Sequence, residues 1–183
     1  MRAVVLVEGP SDRGAVEALA ARRGRDLAAE GVDVVMVGGA QAMGRELRRY
    51  GPQGLDLRLA GLYDAGEEHA VRRALKGVGL GPADTRVDLE RLGFFVCERD
   101  LEDELIRALG AARVEVLVEA QGDLGSFRTL QKQAAWRGRP VEEQLRRFFG
   151  SGGRRKIRYA RLLVEALDLA RVPRALDGVL SRV

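Results

Sequence analysis

The run Val4-Val5-Leu6-Val7, followed at once by Glu8-Gly9-Pro10-Ser11-Asp12, constrains this fold more than any other stretch. Four apolar residues in a row, mostly β-branched, describe a strand buried on both faces, as in a parallel sheet. The run stops at an acid. Gly9 and Pro10 force a turn, and Ser11 or Asp12 can cap the helix that follows. Glu8 is thereby placed at the carboxyl end of a buried strand, the edge at which ligands bind in open α/β sheets. A core strand has no packing use for a carboxylate. Glu8 is either the solvated end of the strand or a metal ligand or acid–base group.

The same unit recurs along the chain. Ala15, Val16, Leu19 and Ala20 predict a helix from Asp12 to about Arg23, with Arg22 and Arg23 at the negative end of its dipole. A second strand is expected at Val32–Val37, closed by Gly38-Gly39, then a helix from Ala40 to Tyr50 broken by Gly51-Pro52. A third strand runs from Leu57 to Tyr63 and ends in Asp64. A helix follows from Glu67 to Lys76, then a loop-like stretch over 77–92 with Gly79, Gly81 and Pro82. Gly93–Cys97 reads as a fourth strand, and Leu101, Leu105, Ile106 and Leu109 as one face of a helix. Alternating strands and helices predict an α/β fold: a parallel sheet of about four strands with helices on both faces, over residues 1–110. From Ala111 the pattern turns to helices and loops, so 111–183 is expected to be a helical C-terminal extension packed on that core. Ser126 is the expected cap of one of its helices, and Gly150-Ser151-Gly152-Gly153 is the one linker-like stretch.

Charge is divided between these halves. Residues 1–120 hold 17 Lys and Arg against 21 Asp and Glu, whereas 121–183 hold 14 against 6. An acidic front suited to cations is joined to a basic tail suited to phosphates. The single cysteine, Cys97, excludes an intramolecular disulfide and fits a reducing compartment. No apolar run approaches the roughly 20 residues of a membrane span. A cytoplasmic protein without a membrane partner is expected.

The acids cluster by topology. Glu8 and Asp12 follow the first strand, Asp64 the third, and Glu98, Asp100, Glu102 and Asp103 the fourth. Parallel strands present their carboxyl ends on one edge, so acids remote in sequence converge there. Clustered carboxylates repel one another unless cations neutralise them. Hard oxygen donors suit Mg²⁺ or Mn²⁺, one ion or two, which can clamp a phosphoryl displacement.

Val5-Leu6-Val7-Glu8-Gly9-Pro10-Ser11-Asp12 resembles the first motif of TOPRIM domains in their overcoming-lysogenisation-defect (OLD) nuclease form. Gly61-Leu62-Tyr63-Asp64 is similar to the start of the second motif, usually Asp-x-Asp. Asp100-Leu101-Glu102-Asp103 resembles that branch's Leu-Glu motif, and Gly153–Ala160 its C-terminal segment with a functional lysine, here Lys156. The resemblance runs from about Met1 to Leu167. It implies a metal-dependent nuclease of TOPRIM fold, an endonuclease-like phosphodiesterase acting on DNA in preference to RNA. Glu8 would bind metal or act as general acid or base, and Asp12, Asp64 and Glu102 would complete the metal shells. Lys156 would steady charge on the phosphate in the transition state. Arg154, Arg155, Arg158 and Arg161 would widen its positive patch against the nucleic-acid backbone.

Two departures qualify the match. Where Asp-x-Asp is expected the sequence reads Asp64-Ala65-Gly66, so Glu67 or Glu68 is the candidate replacement, with Glu68 assigned to the metal. No ATPase segment accompanies these motifs, and nucleotide-driven regulation would need an ATPase partner in trans. Gly150–Lys156 lacks Gly-Lys-Ser/Thr and a preceding strand, which excludes a phosphate loop. No Gly-x-Ser-x-Gly elbow accompanies the lone His69, against a Ser-His-Asp hydrolase. Trp136, Phe127, Phe148 and Phe149 are expected in the core by their helical spacing, base stacking being the alternative. Two other functions stay open: a nucleic-acid- or partner-binding module whose metal site has decayed, and a nucleotidyl or phosphoryl transferase built on the same acids.

Overall fold

The structure is a computed structural model that describes all 183 residues, apart from the side chains of Ala40 and Gln41. Its centre is a four-stranded parallel sheet in the order β2-β1-β3-β4. The strands are β1 (Ala3–Val7), β2 (Val32–Met36), β3 (Arg58–Asp64) and β4 (Phe94–Cys97). Val5 pairs with Val34 on one side and Ala60 on the other, and Gly61 pairs with Phe94. Every residue of β1 is buried, as its unbroken apolar run requires of a strand covered on both faces. The edge strand β2 is covered less completely, with Asp33 and Met36 exposed. Gly61 is needed at its position: a Cβ there would lie 2.7 Å from the Phe94 ring.

Helices α1 (Pro10–Arg22), α2 (Ala40–Tyr50), α3 (Glu68–Gly77), α4 (Arg86–Arg91) and α5 (Leu101–Leu109) carry the crossovers and the exit from β4. Helices α6 (Ala111–Ala120), α7 (Leu124–Lys132), α8 (Val141–Gly150), α9 (Gly153–Ala166) and α10 (Arg174–Arg182) follow. Leu47, Val71, Leu75 and Leu89 bring α2, α3 and α4 against Val4, Leu6 and Phe94 on one face. On the other face one buried cluster joins Val5 and Leu19 to Leu105, Phe148, Tyr159 and Leu180, so the later helices share the sheet's core. Each large apolar side chain buried in this way contributes roughly 1.5–3 kcal/mol.

The structure changes several local expectations. Residues 77–92 are not all loop, since Thr85 and Asp88 form a capping box that starts α4. Helix α7 begins at Leu124 after Asp123, which leaves Ser126 inside it rather than at its cap. Gly150–Gly153 is the tight connection between α8 and α9. Arg22 does more than sit at the end of α1. Its guanidinium donates to the carbonyls of Val164 at 2.9 Å and Leu167 at 2.6 Å. Both carbonyls lie at the end of α9, where acceptors outnumber donors, although Val164 also takes the Leu167 N–H at 3.2 Å. The contact ties the last turn of α9 to the end of α1, and the first turn of α9 brings Lys156 beside Glu8 and Asp12. Among the described residues, no helix is long and apolar enough to cross a membrane.

Candidate active site

Each acid at the carboxyl edge is placed by a different local device. Glu8 is the residue after β1, and its exposed side chain has no hydrogen bond or ion pair among the described residues. Asp12 stands in the first turn of α1, where one carboxylate oxygen accepts a 3.0 Å hydrogen bond from the Gly9 N–H. Asp64 is the last residue of β3 and also lacks a cation or hydrogen-bond partner among the described residues. Asp100 caps α5, accepting from the Asp103 N–H at 2.8 Å. Its second oxygen takes the Nε–H of Arg146 at 2.6 Å.

These carboxylates feel one another. Burial raises the pKa of Asp64 to about 7, helped by the charges of Glu8, Asp100, Asp12 and Glu67. Asp12 is also raised, first by burial and then by Glu8 and Asp100, against the opposing pull of the Gly9 N–H and Lys156. Glu102 has the most enclosed of these side chains, 3% exposed, and meets Lys156 Nζ at 3.3 Å. The pair is poorly aligned, and neither oxygen of Glu102 has a hydrogen-bond partner. Burial lifts Glu102 to about 6 despite the ammonium. Burial alone would lower the pKa of Lys156, but Glu102, Asp12 and Asp100 outweigh it and the pKa is raised.

Lys156 joins two openings. A cavity of about 330 Å³ is lined by Lys156 together with Glu8, Asp12 and Gly38. A larger one, about 660 Å³, is lined by Lys156 with Glu102, Asp100, Arg146, Arg147 and Trp136.

Not every assignment made from the sequence stays at this edge. Glu68 is corrected: Arg72 and Arg86 hold its carboxylate, the latter at 2.8 Å, and a carboxylate so engaged is a poor metal ligand. Glu67 is the residue of that pair that contributes to the field on Asp64. Glu8, Asp64 and Glu102 were expected to form one metal-sized cluster, but among the described residues no three His, Cys, Asp or Glu side chains form a group that could hold an ion. Glu102 is turned instead to Lys156, and Asp100 shares the field around Asp64 and Asp12. The basic patch is also redistributed. Arg158 pairs with Asp123, Arg161 with Glu165 at 2.8 Å, and Arg155 lies 4.2 Å from the centre of the Phe148 ring. Only Arg154 of the four has no partner among the described residues. Arg146 and Arg147, on α8, face the larger cavity and were not singled out from the sequence. Their clue was the basic excess after residue 120.

The family model of the overcoming lysogenization defect protein-like TOPRIM domain matches residues 1–64, from β1 through Asp64. The likeness of fold extends over the whole chain. The C-terminal region of the Xanthomonas campestris pv. campestris OLD protein is 27% identical, with 100% of this chain and 91% of that one covered at a TM-score of 0.72. The corresponding region of the Burkholderia pseudomallei OLD protein is 20% identical, with coverage of 99% and 96% at a TM-score of 0.72. No curated protein matches the sequence. At the level of the family, the match over residues 1–64 supports a nuclease-type, metal-binding module.

The raised acids set a sign for pH. Asp64 is protonated in the folded state and ionised in the unfolded state between its ordinary 3.8 and about 7, and Glu102 behaves alike between 4.5 and about 6. The folded state then binds more protons, and stability falls as pH rises through this window. In chelator, the melting temperature should drop by several degrees from pH 5 to pH 8. Asp64→Asn should flatten that drop. A profile that is level in wild type, or equally steep in the variant, would contradict the assignment.

Proposed function

We propose that the chain is a divalent-metal-dependent nuclease that hydrolyses phosphodiesters in DNA at the carboxyl edge of its sheet. The observation that carries this is Lys156: a cation fixed 3.3 Å from a buried carboxylate and lining both openings around the acids.

The donors fit a hard divalent ion. They are carboxylates from separate strand ends, Glu8 and Asp64 have no internal cation, and the pKa of Asp64 is raised first by burial and then by like charges that an ion would offset. A ready-made cage of three acids is not required, because Mg²⁺ keeps several waters and commonly takes one or two carboxylates plus substrate phosphates. Glu8, Asp12 and Asp64 are the residues that would hold it. When bound, the ion supplies Lewis-acid polarisation of the phosphate and a more acidic water.

The side chains divide the remaining work. Glu8, exposed and unpaired, can accept or return a proton at the edge of the cavity. Lys156 carries its charge on the first turn of α9, where the positive end of the helix dipole adds to it. Its stem is half-buried while its partner Glu102 is almost wholly so, and the ammonium is therefore held in place yet open to a phosphate oxygen. Such a donor stabilises charge that grows in the transition state without reorganising.

One feature favours a binding module with a lost metal site: Gly66 stands where the second Asp of the motif belongs. Supercoiled plasmid separates the two. With Mg²⁺ or Mn²⁺ the protein should convert it to nicked or linear forms, and chelator should abolish the conversion. DNA binding without any metal-dependent cutting would instead support the binding module.

A further inference from the structure

The larger cavity contains one side chain that phosphodiester chemistry does not use. Trp136, the only tryptophan, follows α7 and is half-buried at the cavity wall. The other large aromatics of this half are sealed in the core. Phe149 and Tyr159 stack with centroids 4.4 Å apart, and Phe127 and Phe148 meet at 5.3 Å. Trp136 stands outside that stack.

Two guanidinium groups attend its ring. The central carbon of Arg139 is 5.0 Å from the ring centroid and that of Arg147 is 5.9 Å away. Arg139 is tethered, its Nε–H donating to the Ala135 carbonyl at 2.8 Å and its far end 3.7 Å from Glu143. Arg147 has no ion pair and no hydrogen bond among the described residues. The ring is its one partner, so it can leave the indole for a phosphate at little cost. Lys156 lines the same cavity, paired there with Glu102.

We propose that this cavity binds an unpaired nucleotide, its base stacked on Trp136 and its phosphate met by Arg147. A flat aromatic beside a movable cation is chemistry that suits a base with its π-face free. A base within a duplex offers only its edges in the grooves. The cavity, at about 660 Å³, is of the size that takes small ligands. If the acid edge cuts phosphodiesters, as proposed above, the preferred substrate is a single strand, or a duplex with an unpaired end or flap at the cut.

Because Trp136 is the sole tryptophan, its emission reports on this site alone. The intact protein, in chelator so that nothing is cut, would be titrated with a short deoxyribo-oligonucleotide, the ribo-oligonucleotide of the same sequence, and a blunt duplex. Quenching by either single strand at concentrations where the blunt duplex leaves the emission unchanged is the expected result. By anisotropy, Trp136→Ala should weaken single-strand binding on the order of 10-fold, with Trp136→Phe, which keeps a π-face, recovering most of it. Circular dichroism would verify that each variant is folded. Absent quenching, equal quenching by blunt duplex, or unchanged affinity in folded Trp136→Ala would overturn the proposal. Plasmid cutting is scored separately. A protein that cuts but is not quenched retains the nuclease function and loses this inference. One that is quenched but never cuts retains the nucleotide site and loses the nuclease.

Discussion

Lys156→Ala is expected to slow cleavage of saturating DNA by on the order of 10²-fold or more, with little change in affinity. The reason is timing: a cation aimed at a phosphate oxygen gains most when charge builds up in the transition state. The substitution also strands Glu102. Removing one partner of a buried pair costs about 3–5 kcal/mol in enclosed cases. The cost here should be smaller, since Lys156 is 41% exposed and Glu102, already raised to about 6, can take up a proton. The double variant Lys156→Ala/Glu102→Gln removes the stranded charge. It should regain much of the melting temperature and none of the rate. Single-turnover cleavage and thermal melting on wild type and the two variants check both halves. If Lys156→Ala weakens binding but leaves the saturated rate intact, Lys156 belongs to a binding patch and the nuclease assignment falls.

Glu8→Gln is expected to lower the metal-dependent rate by roughly 10²- to 10⁴-fold, the range for loss of a positioned acid–base group. It should not harm the fold, because the side chain is exposed and holds no internal partner. A second effect follows from electrostatics. After burial, Glu8 is the largest influence holding up the pKa of Asp64. Neutralising it should bring that pKa down, so the fall in melting temperature between pH 5 and pH 8 in chelator becomes shallower. Full activity in Glu8→Gln would remove Glu8 from the chemistry and leave it as the solvated end of β1.

The fold was largely legible because its signals are local. The apolar run of β1, the strands ending at acids and the Gly-Pro turn each act within a few residues, and parallel strands then bring their ends together by geometry. Helix α4 was hidden because six residues bounded by Gly79, Gly81 and Pro82 give too little periodicity, although Thr85 and Asp88 already formed its capping box. The site was legible only in part, since partner choice is decided in three dimensions. Glu68 was withdrawn by Arg72 one turn along and by Arg86 eighteen residues away. Asp100 acquired Arg146 from α8, forty-six residues on. The basic tail was visible as a charge excess, but which arginines face the acids depends on how α8 and α9 pack. That packing sends Arg158 to Asp123 and Arg147 to the cavity beside Trp136.

The central claim is that the carboxyl edge takes a divalent cation, and Mn²⁺ binding tests it without requiring a substrate. Free aqueous Mn²⁺ gives a strong six-line electron paramagnetic resonance signal that weakens when the ion is held by a protein. At pH 8, where Asp64 is ionised, titrating Mn²⁺ into the wild-type protein should suppress that signal at protein-scale stoichiometry. Asp64→Asn should restore most of it, whereas Glu68→Gln, whose carboxylate is taken up by two arginines, should bind as wild type does. Wild type that leaves the Mn²⁺ signal intact, or an Asp64→Asn variant that suppresses it equally, would contradict the account.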